Sequence, residues 1–147
     1  MQRIKEQRSV ARVTMAYYAK LYLVTAISFL VLDVIWLGFI ARAFYQANLG
    51  VFLSPAPDWC AAILFYLLFI AGILLFVVLP NRYYQSPKRV VVYGAVFGLV
   101  TYGTYGLTNL ALIENWPVIV TFVDLAWGTT VSASVSYAGF FADRWLL

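Results

Sequence analysis

The chain has 147 residues, of which 64% are hydrophobic and 11% charged, and its mean hydropathy is +0.86. Soluble domains are about a quarter charged, so this composition excludes an ordinary soluble protein and indicates an integral membrane protein. Histidine is absent and there is one cysteine, which excludes a disulfide within the chain and argues against a metal site built from protein ligands alone.

Residues 1–20 are a basic segment that precedes the first apolar stretch. Five of the ten lysines and arginines of the chain lie in it. Positive charge concentrated beside a membrane span is typical of a segment held at an anionic cytoplasmic membrane face, and it argues against a nucleic-acid site. We expect an interfacial helix or a flexible tail here, followed by a transmembrane domain over residues 21–147.

Four apolar stretches are long enough to cross about 30 Å of hydrocarbon, which takes roughly 20 helical residues. They lie near residues 21–44, 59–79, 89–113 and 117–141. The last link is only Glu114-Asn115-Trp116 before Pro117, and proline suits the first turn of a helix. The pattern predicts an all-α fold with four transmembrane helices in an up-and-down bundle, whose third and fourth helices form an antiparallel hairpin.

The short loops predict the orientation. The second loop and the C-terminal tail carry Arg82, Lys88, Arg89 and Arg144, whereas the other two loops have only Arg42. By the positive-inside rule both termini are then cytoplasmic.

A cleaved signal peptide is a competing interpretation of the first stretch, because Ala41-Arg42-Ala43 has the form of a cleavage site. The apolar run before it, about 20 residues, is longer than the usual signal-peptide core.

Two aspartates interrupt the apolar spans, and each is followed three residues later by tryptophan: Asp33 with Trp36, and Asp124 with Trp127. A carboxylate in hydrocarbon is costly, so it needs a partner or a purpose. At 1.5 Å per residue, antiparallel first and fourth helices bring Asp33 level with Trp127 and Asp124 level with Trp36. If these helices touch, each indole N–H can donate to the carboxylate of the other helix.

The third stretch has a small and polar stripe that lies within about 120° of a helical wheel. Its members are Gly94, Gly98, Tyr102, Tyr105, Gly106 and Asn109. Gly94 and Gly98 form a GxxxG pattern, which favours close helix contact. Gly128 and Ser132 share a face with Asp124 in the fourth stretch and complete this predicted packing set.

These faces together predict a buried polar or ligand-binding cluster, to which no catalytic role is assigned. Its members are Asp33, Trp36, Tyr102, Tyr105, Asn109, Asp124 and Trp127. The alternative is that the aspartates serve only to hold helices together.

The second stretch lacks ionisable residues apart from its tyrosine and cysteine, and we interpret Tyr66 and its phenylalanines as packing or lipid-facing. Cys60, at its start, is expected to be a small buried thiol, because no histidine exists to activate it as a nucleophile. We interpret four further charged residues as solvated ends of helices: Arg42, Asp58, Glu114 and Asp143.

An ordered set of motifs resembles a known family. Asp33-x-x-Trp36-Leu37-Gly38, Tyr102-x-x-Tyr105-x-x-Thr108-Asn109 and Asp124-x-x-Trp127-Gly128 are similar to the bacterial membrane proteins called domain of unknown function 2177, from about Met15 to the C-terminus. The resemblance implies a four-helix protein of the bacterial inner membrane and brings no activity with it. The chain departs from the family at Gly106, where aspartate is usual, so a binding or structural role without that carboxylate is implied.

Three functions remain open. The favoured one is a non-catalytic subunit or assembly partner, which contacts lipids and other transmembrane helices in a homo-oligomer or a larger complex. The second is a proton-linked carrier of a small ligand or lipid. The third is an enzyme acting on a lipid or isoprenoid, against which the lack of histidine and of phosphate or metal motifs counts. No cofactor is evident, and a bound lipid or other hydrophobic molecule is the ligand class that the pattern suggests.

Overall fold

The computed structural model describes residues 2–50, 52–84 and 86–146, with side chains from Thr14 onward. No strand occurs among these residues. Helix α1 (Gln2–Ile35) continues into a π-helical turn (Trp36–Ile40) and is followed by the short helix α2 (Arg42–Leu49). Helix α3 (Trp59–Gly72) continues through a π-helical segment (Ile73–Val78), helix α4 (Leu79–Asn81) and a 3-10 turn (Arg82–Tyr84). Helices α5 (Pro87–Leu112) and α6 (Val118–Leu146) complete the chain.

Four helical stretches in the described part of the chain are long and apolar enough to cross a membrane, so the all-α, four-span prediction is confirmed. These first to fourth spans are Thr14–Ile40, Trp59–Tyr84, Pro87–Leu112 and Val118–Leu146. The third and fourth spans pack together most extensively, and the first packs on the fourth. We call the end that carries α2 and the turn before Val118 the α2 end, and the opposite end the terminal end.

The first span ends earlier than predicted, and the chain turns there. Ala41 is a bend, and its N–H donates to the Trp36 carbonyl at 2.7 Å. Helix α2 is therefore separate from the first span. Its Leu49 forms an apolar cluster with Trp116 and Val120, at the start of the fourth span. At the other end α1 begins at Gln2, so the basic segment is helical and runs directly into the span.

The second span continues past Pro80, beyond its predicted end at residue 79. Proline lacks an N–H and crowds the carbonyl four residues before it. Here the preceding segment Ile73–Val78 is π-helical, and the Leu79 N–H bonds to the Leu74 carbonyl. A wider helical turn ahead of proline lets the helix pass it instead of ending.

The third and fourth spans approach closely at the predicted packing residues. A methyl group added at Gly94 would lie 2.6 Å from the Ser136 hydroxyl oxygen. One added at Gly98 would overlap the Gly128 carbonyl and lie 2.5 Å from the Ser132 hydroxyl oxygen. Only glycine leaves room for such backbone proximity, which is the geometry that GxxxG patterns favour. Gly94, Gly98, Gly128 and Ser132 thus all lie in one helix contact.

Asp143 was expected to be solvated, and this expectation was wrong. Its side chain is 1% exposed and forms an ion pair with Arg82 of the second span. Arg82 Nε donates to Asp143 Oδ2 at 3.1 Å, and the Tyr17 hydroxyl donates to Oδ1. The first, second and fourth spans are therefore joined at the terminal end. Cys60, expected to be buried, is exposed at the α2 end.

Candidate functional site

A cavity of about 710 Å³ lies at the α2 end, among the four spans and α2. Six of the seven residues of the predicted polar cluster line it: Asp33, Trp36, Tyr102, Tyr105, Asp124 and Trp127. Counting 1.5 Å per residue from the ends of their spans, Asp33 is about 10 Å below Ile40 and Asp124 about 9 Å below Val118. Both carboxyls therefore lie between the α2 end and the membrane midplane, which is about 15 Å below the end.

Asp33 is 6% exposed and is held by donors from two other spans. The Tyr66 hydroxyl donates to its Oδ2 at 2.8 Å. The Trp127 indole approaches the same carboxyl from the fourth span. Burial of a carboxyl without donors is costly, so these two contacts explain how the first span tolerates Asp33.

Asp124 is 8% exposed and is reached from α2. The Tyr45 hydroxyl donates to Asp124 Oδ1, and the Trp36 Nε1–H donates to the Tyr45 oxygen at 3.2 Å. The pKa of the Tyr45 phenol is raised above its usual value, chiefly because the phenol is buried and also because it donates to the Asp124 carboxyl. The direct Trp36–Asp124 hydrogen bond expected from the sequence is therefore replaced by a relay through Tyr45.

The two tryptophans stack on each other in the cavity wall. The ring centroids of Trp36 and Trp127 are 4.4 Å apart and their planes differ by 5°. One ring contacts the Asp33 carboxyl and the other leads to Asp124 through Tyr45. The stack therefore links the two carboxyl sites across the contact of the first and fourth spans.

The third span contributes its two tyrosines differently. The Tyr102 ring lies over Gly128, where a methyl group would overlap it, and meets Phe69 edge-on at 5.9 Å. Tyr105 is 54% exposed and hydrogen-bonds Asn109. Asn109 does not line the cavity, so it joins the predicted cluster only through Tyr105.

Sequence reasoning missed Tyr45 and Tyr66, the two donors to the carboxyls. Tyr45 lies one residue beyond the predicted first span, 21–44, and so was not counted among its polar residues. Tyr66 carries the one hydroxyl between residues 59 and 79. A hydroxyl in hydrocarbon needs an acceptor, because no water is there to supply one. That requirement could have pointed from Tyr66 to an aspartate.

Exposed side chains of the second and third spans form one part of the cavity wall. The second span contacts the third and fourth mainly through its segment Ile73–Val78, whereas α3 packs chiefly on the first span. Phe69 still meets Tyr102, but nearer the α2 end the walls are Phe65 and Tyr105, which are 44% and 54% exposed. The two spans thus diverge from Phe69 outward.

The lining of the cavity is largely aromatic and apolar, with a few polar groups. Carboxyl, phenol and indole groups face an aromatic wall, and no lining residue pairs a nucleophile with a histidine base, since the chain has no histidine. Within the described ranges no three His, Cys, Asp or Glu side chains come together as metal ligands.

Comparison with known proteins gives one finding. A family model described as "Predicted membrane protein (DUF2177)" matches residues 18–141. No curated protein and no solved structure gives a significant match.

Proposed function

The chain belongs to the DUF2177 family of predicted membrane proteins, and we propose that it is a membrane-embedded binding protein for a small hydrophobic molecule. One observation carries this proposal: the cavity of about 710 Å³, with aromatic walls and two buried carboxyls. Ligand pockets typically measure roughly 300–1,000 Å³ and combine apolar walls with a few placed polar groups. The α2-end cavity has both properties.

This geometry favours the binding or carrier class over a subunit that only packs against partners. Aspartates that served only to join helices would be enclosed in the helix contact. Here Asp33 and Asp124 have donors and still line an open cavity. An enzyme acting on a lipid has no comparable support, because the lining offers no activated nucleophile.

The ligand would enter from the bilayer. Helix α2 supplies Tyr45, Gln46 and Leu49 to the cavity wall at the α2 end, so it separates the cavity from that membrane surface. The gap between α3 and α5 leads instead to the lipid phase. A molecule with an apolar body can pass between the diverging helices and present its polar end to the carboxyls.

The location of the α2 end follows from charge. The loop and tail arginines and lysines other than Arg42 lie at the terminal end, so by the positive-inside rule the terminal end faces the cytoplasm. In a bacterial inner membrane the cavity would then open to the outer leaflet.

Filling the cavity tests the proposal. Thr101 lines the cavity, whereas its neighbour Val100 is 60% exposed on the outer surface. We expect Thr101→Phe to exclude the ligand and Val100→Phe to leave it bound. The measurement is mass spectrometry of small molecules that remain with each protein after purification in mild detergent.

The expected result is a compound retained by wild type and Val100→Phe and lost from Thr101→Phe, with all three proteins eluting alike in gel filtration. Equal retention by both variants, or a wild-type protein that retains nothing beyond the bulk lipids, would contradict a binding role for this cavity.

A further inference from the structure

The charge balance of the cavity indicates what kind of ligand it takes. We infer that the ligand is a hydrophobic cation, an amine or an onium group on an apolar body; this inference rests on the proposed binding function. Two acidic residues, Asp33 and Asp124, line the cavity, and among the side chains that the structure describes Arg42 is the single basic one that lines it.

Neither aspartate has a cationic partner. Among the described residues the one ion pair joins Arg82 to Asp143, at the terminal end of the bundle. Tyr66 and Tyr45 donate neutral hydrogen bonds to Asp33 and Asp124. Neutral donors compensate a buried carboxylate only in part, and a countercharge compensates it further.

Arg42 does not fill this role. It is exposed and begins α2 at the rim of the cavity, whereas both carboxyls are buried about two helical turns below the span ends. A charge at an exposed rim is screened by solvent and ions. Among the described residues, the buried part of the cavity therefore carries acidic groups and no basic one.

The walls also suit a cation. Trp36 and Trp127 form a stacked aromatic surface beside the carboxyls, and Tyr102 and Phe69 face the same space. Ring faces attract cations, most strongly where water is excluded. An anion of the same shape would meet two carboxyls and several negative ring faces, which selects against it.

A matched pair of ions tests the charge directly. Tetraphenylphosphonium and tetraphenylborate have nearly the same size and shape and opposite charge. We expect the cation to quench the tryptophan fluorescence of the purified wild-type protein saturably, and the anion neither to do so nor to displace it. Equal saturable binding of the anion would overturn the inference, and this comparison needs no variant.

Substitution of the two aspartates then tests whether they supply the negative charge that binds the cation. We expect Asp33→Asn and Asp124→Asn each to weaken tetraphenylphosphonium binding about tenfold or more, as loss of a buried charge partner does. Asp58→Asn is the matched control, because Asp58 is an exposed helix cap at the same end of the bundle. Unchanged affinity in the double Asp33→Asn, Asp124→Asn variant would also overturn the inference.

The two proposals fail in different ways. If tetraphenylphosphonium does not bind, yet wild type retains a compound that Thr101→Phe loses, the cavity binds a ligand that is not a cation and only the present inference falls. If neither probe binds and no compound is retained, the binding function itself falls.

Discussion

Three buried aspartates in this chain are satisfied in two different ways. Asp143 has a guanidinium and a phenol as partners, whereas Asp33 and Asp124 each accept a hydrogen bond from a phenol and face a cavity. A full charge partner fixes a carboxylate as a structural element. Neutral donors hold it in place and leave its charge available to a ligand.

Loss of one partner of the Arg82–Asp143 pair should therefore destabilise the fold. Because Asp143 is 1% exposed and Arg82 19%, we expect Asp143→Ala to lower the free energy of unfolding by about 3 kcal/mol. Glu114→Ala, at an exposed turn residue, should change it by about 0.5 kcal/mol or less. Denaturant unfolding in micelles measures both.

The double variant Arg82→Gln, Asp143→Asn should lose less stability than the sum of its single variants, because it leaves no unpaired charge. Additive losses would show that the ion pair does not couple the second and fourth spans.

The sequence could identify Asp33 and Asp124 and not Asp143, for a physical reason. Depth in an apolar run marks the first two, whereas Asp143 lies near the end of the chain and its partner Arg82 is 61 positions away. The position of a residue in an apolar run indicates its depth in the membrane. Its side-chain partners on other helices become known only once the packing of the helices is known. The same limit explains why Tyr45 and Tyr66 were missed.

At the scale of the helices, close packing between the third and fourth spans depends on glycines, which have no side chain. The backbones meet at Gly98 and Gly128, where no methyl group fits. The glycine spacing predicted this contact. The π-helical turns and the separate helix α2 were not predictable, because no residue pattern distinguishes the run Trp36–Ile40 from an ordinary helical end.

Two glycine substitutions in one helix separate packing from helix propensity. Gly98→Ala places a methyl group against the Gly128 carbonyl, whereas Gly103→Ala places one where no atom lies within 4 Å. We expect Gly98→Ala to destabilise the protein by about 1–3 kcal/mol. Gly103→Ala should be neutral or stabilise it by up to about 1 kcal/mol, since alanine is the better helix former.

Thermal unfolding in the same detergent gives the comparison, with tryptophan fluorescence as the probe. Equal stabilities of the two alanine variants would mean that the helices separate at Gly98 without cost, and the close contact would then be unimportant for the fold.

The whole bundle is joined by side-chain contacts between spans at the terminal end and contains the cavity at the α2 end. At the terminal end Arg82 joins three spans, and Arg89 lies 3.8 Å above the Tyr84 ring and donates to Asn81. At the α2 end the cavity lies among the four spans and α2. Hydropathy predicted the four spans, but a cavity depends on how far helices diverge, which hydropathy does not contain.

The side of the membrane to which the α2 end faces decides which leaflet supplies a ligand. Cys60 reports it, because it is the single cysteine of the chain, is exposed and lies at the α2 end. Since the basic loops predict a cytoplasmic terminal end, we expect an impermeant maleimide to label Cys60 in intact bacterial spheroplasts.

The matched control moves the thiol to the other end. In the double variant Cys60→Ser, Lys88→Cys the thiol occupies an exposed position at the start of the third span, at the terminal end. It should react only after the membrane is permeabilised. The reverse pattern, with Lys88→Cys labelled in intact spheroplasts and Cys60 protected, would place the cavity at the cytoplasmic leaflet. A cationic ligand would then have to come from the inner side of the membrane.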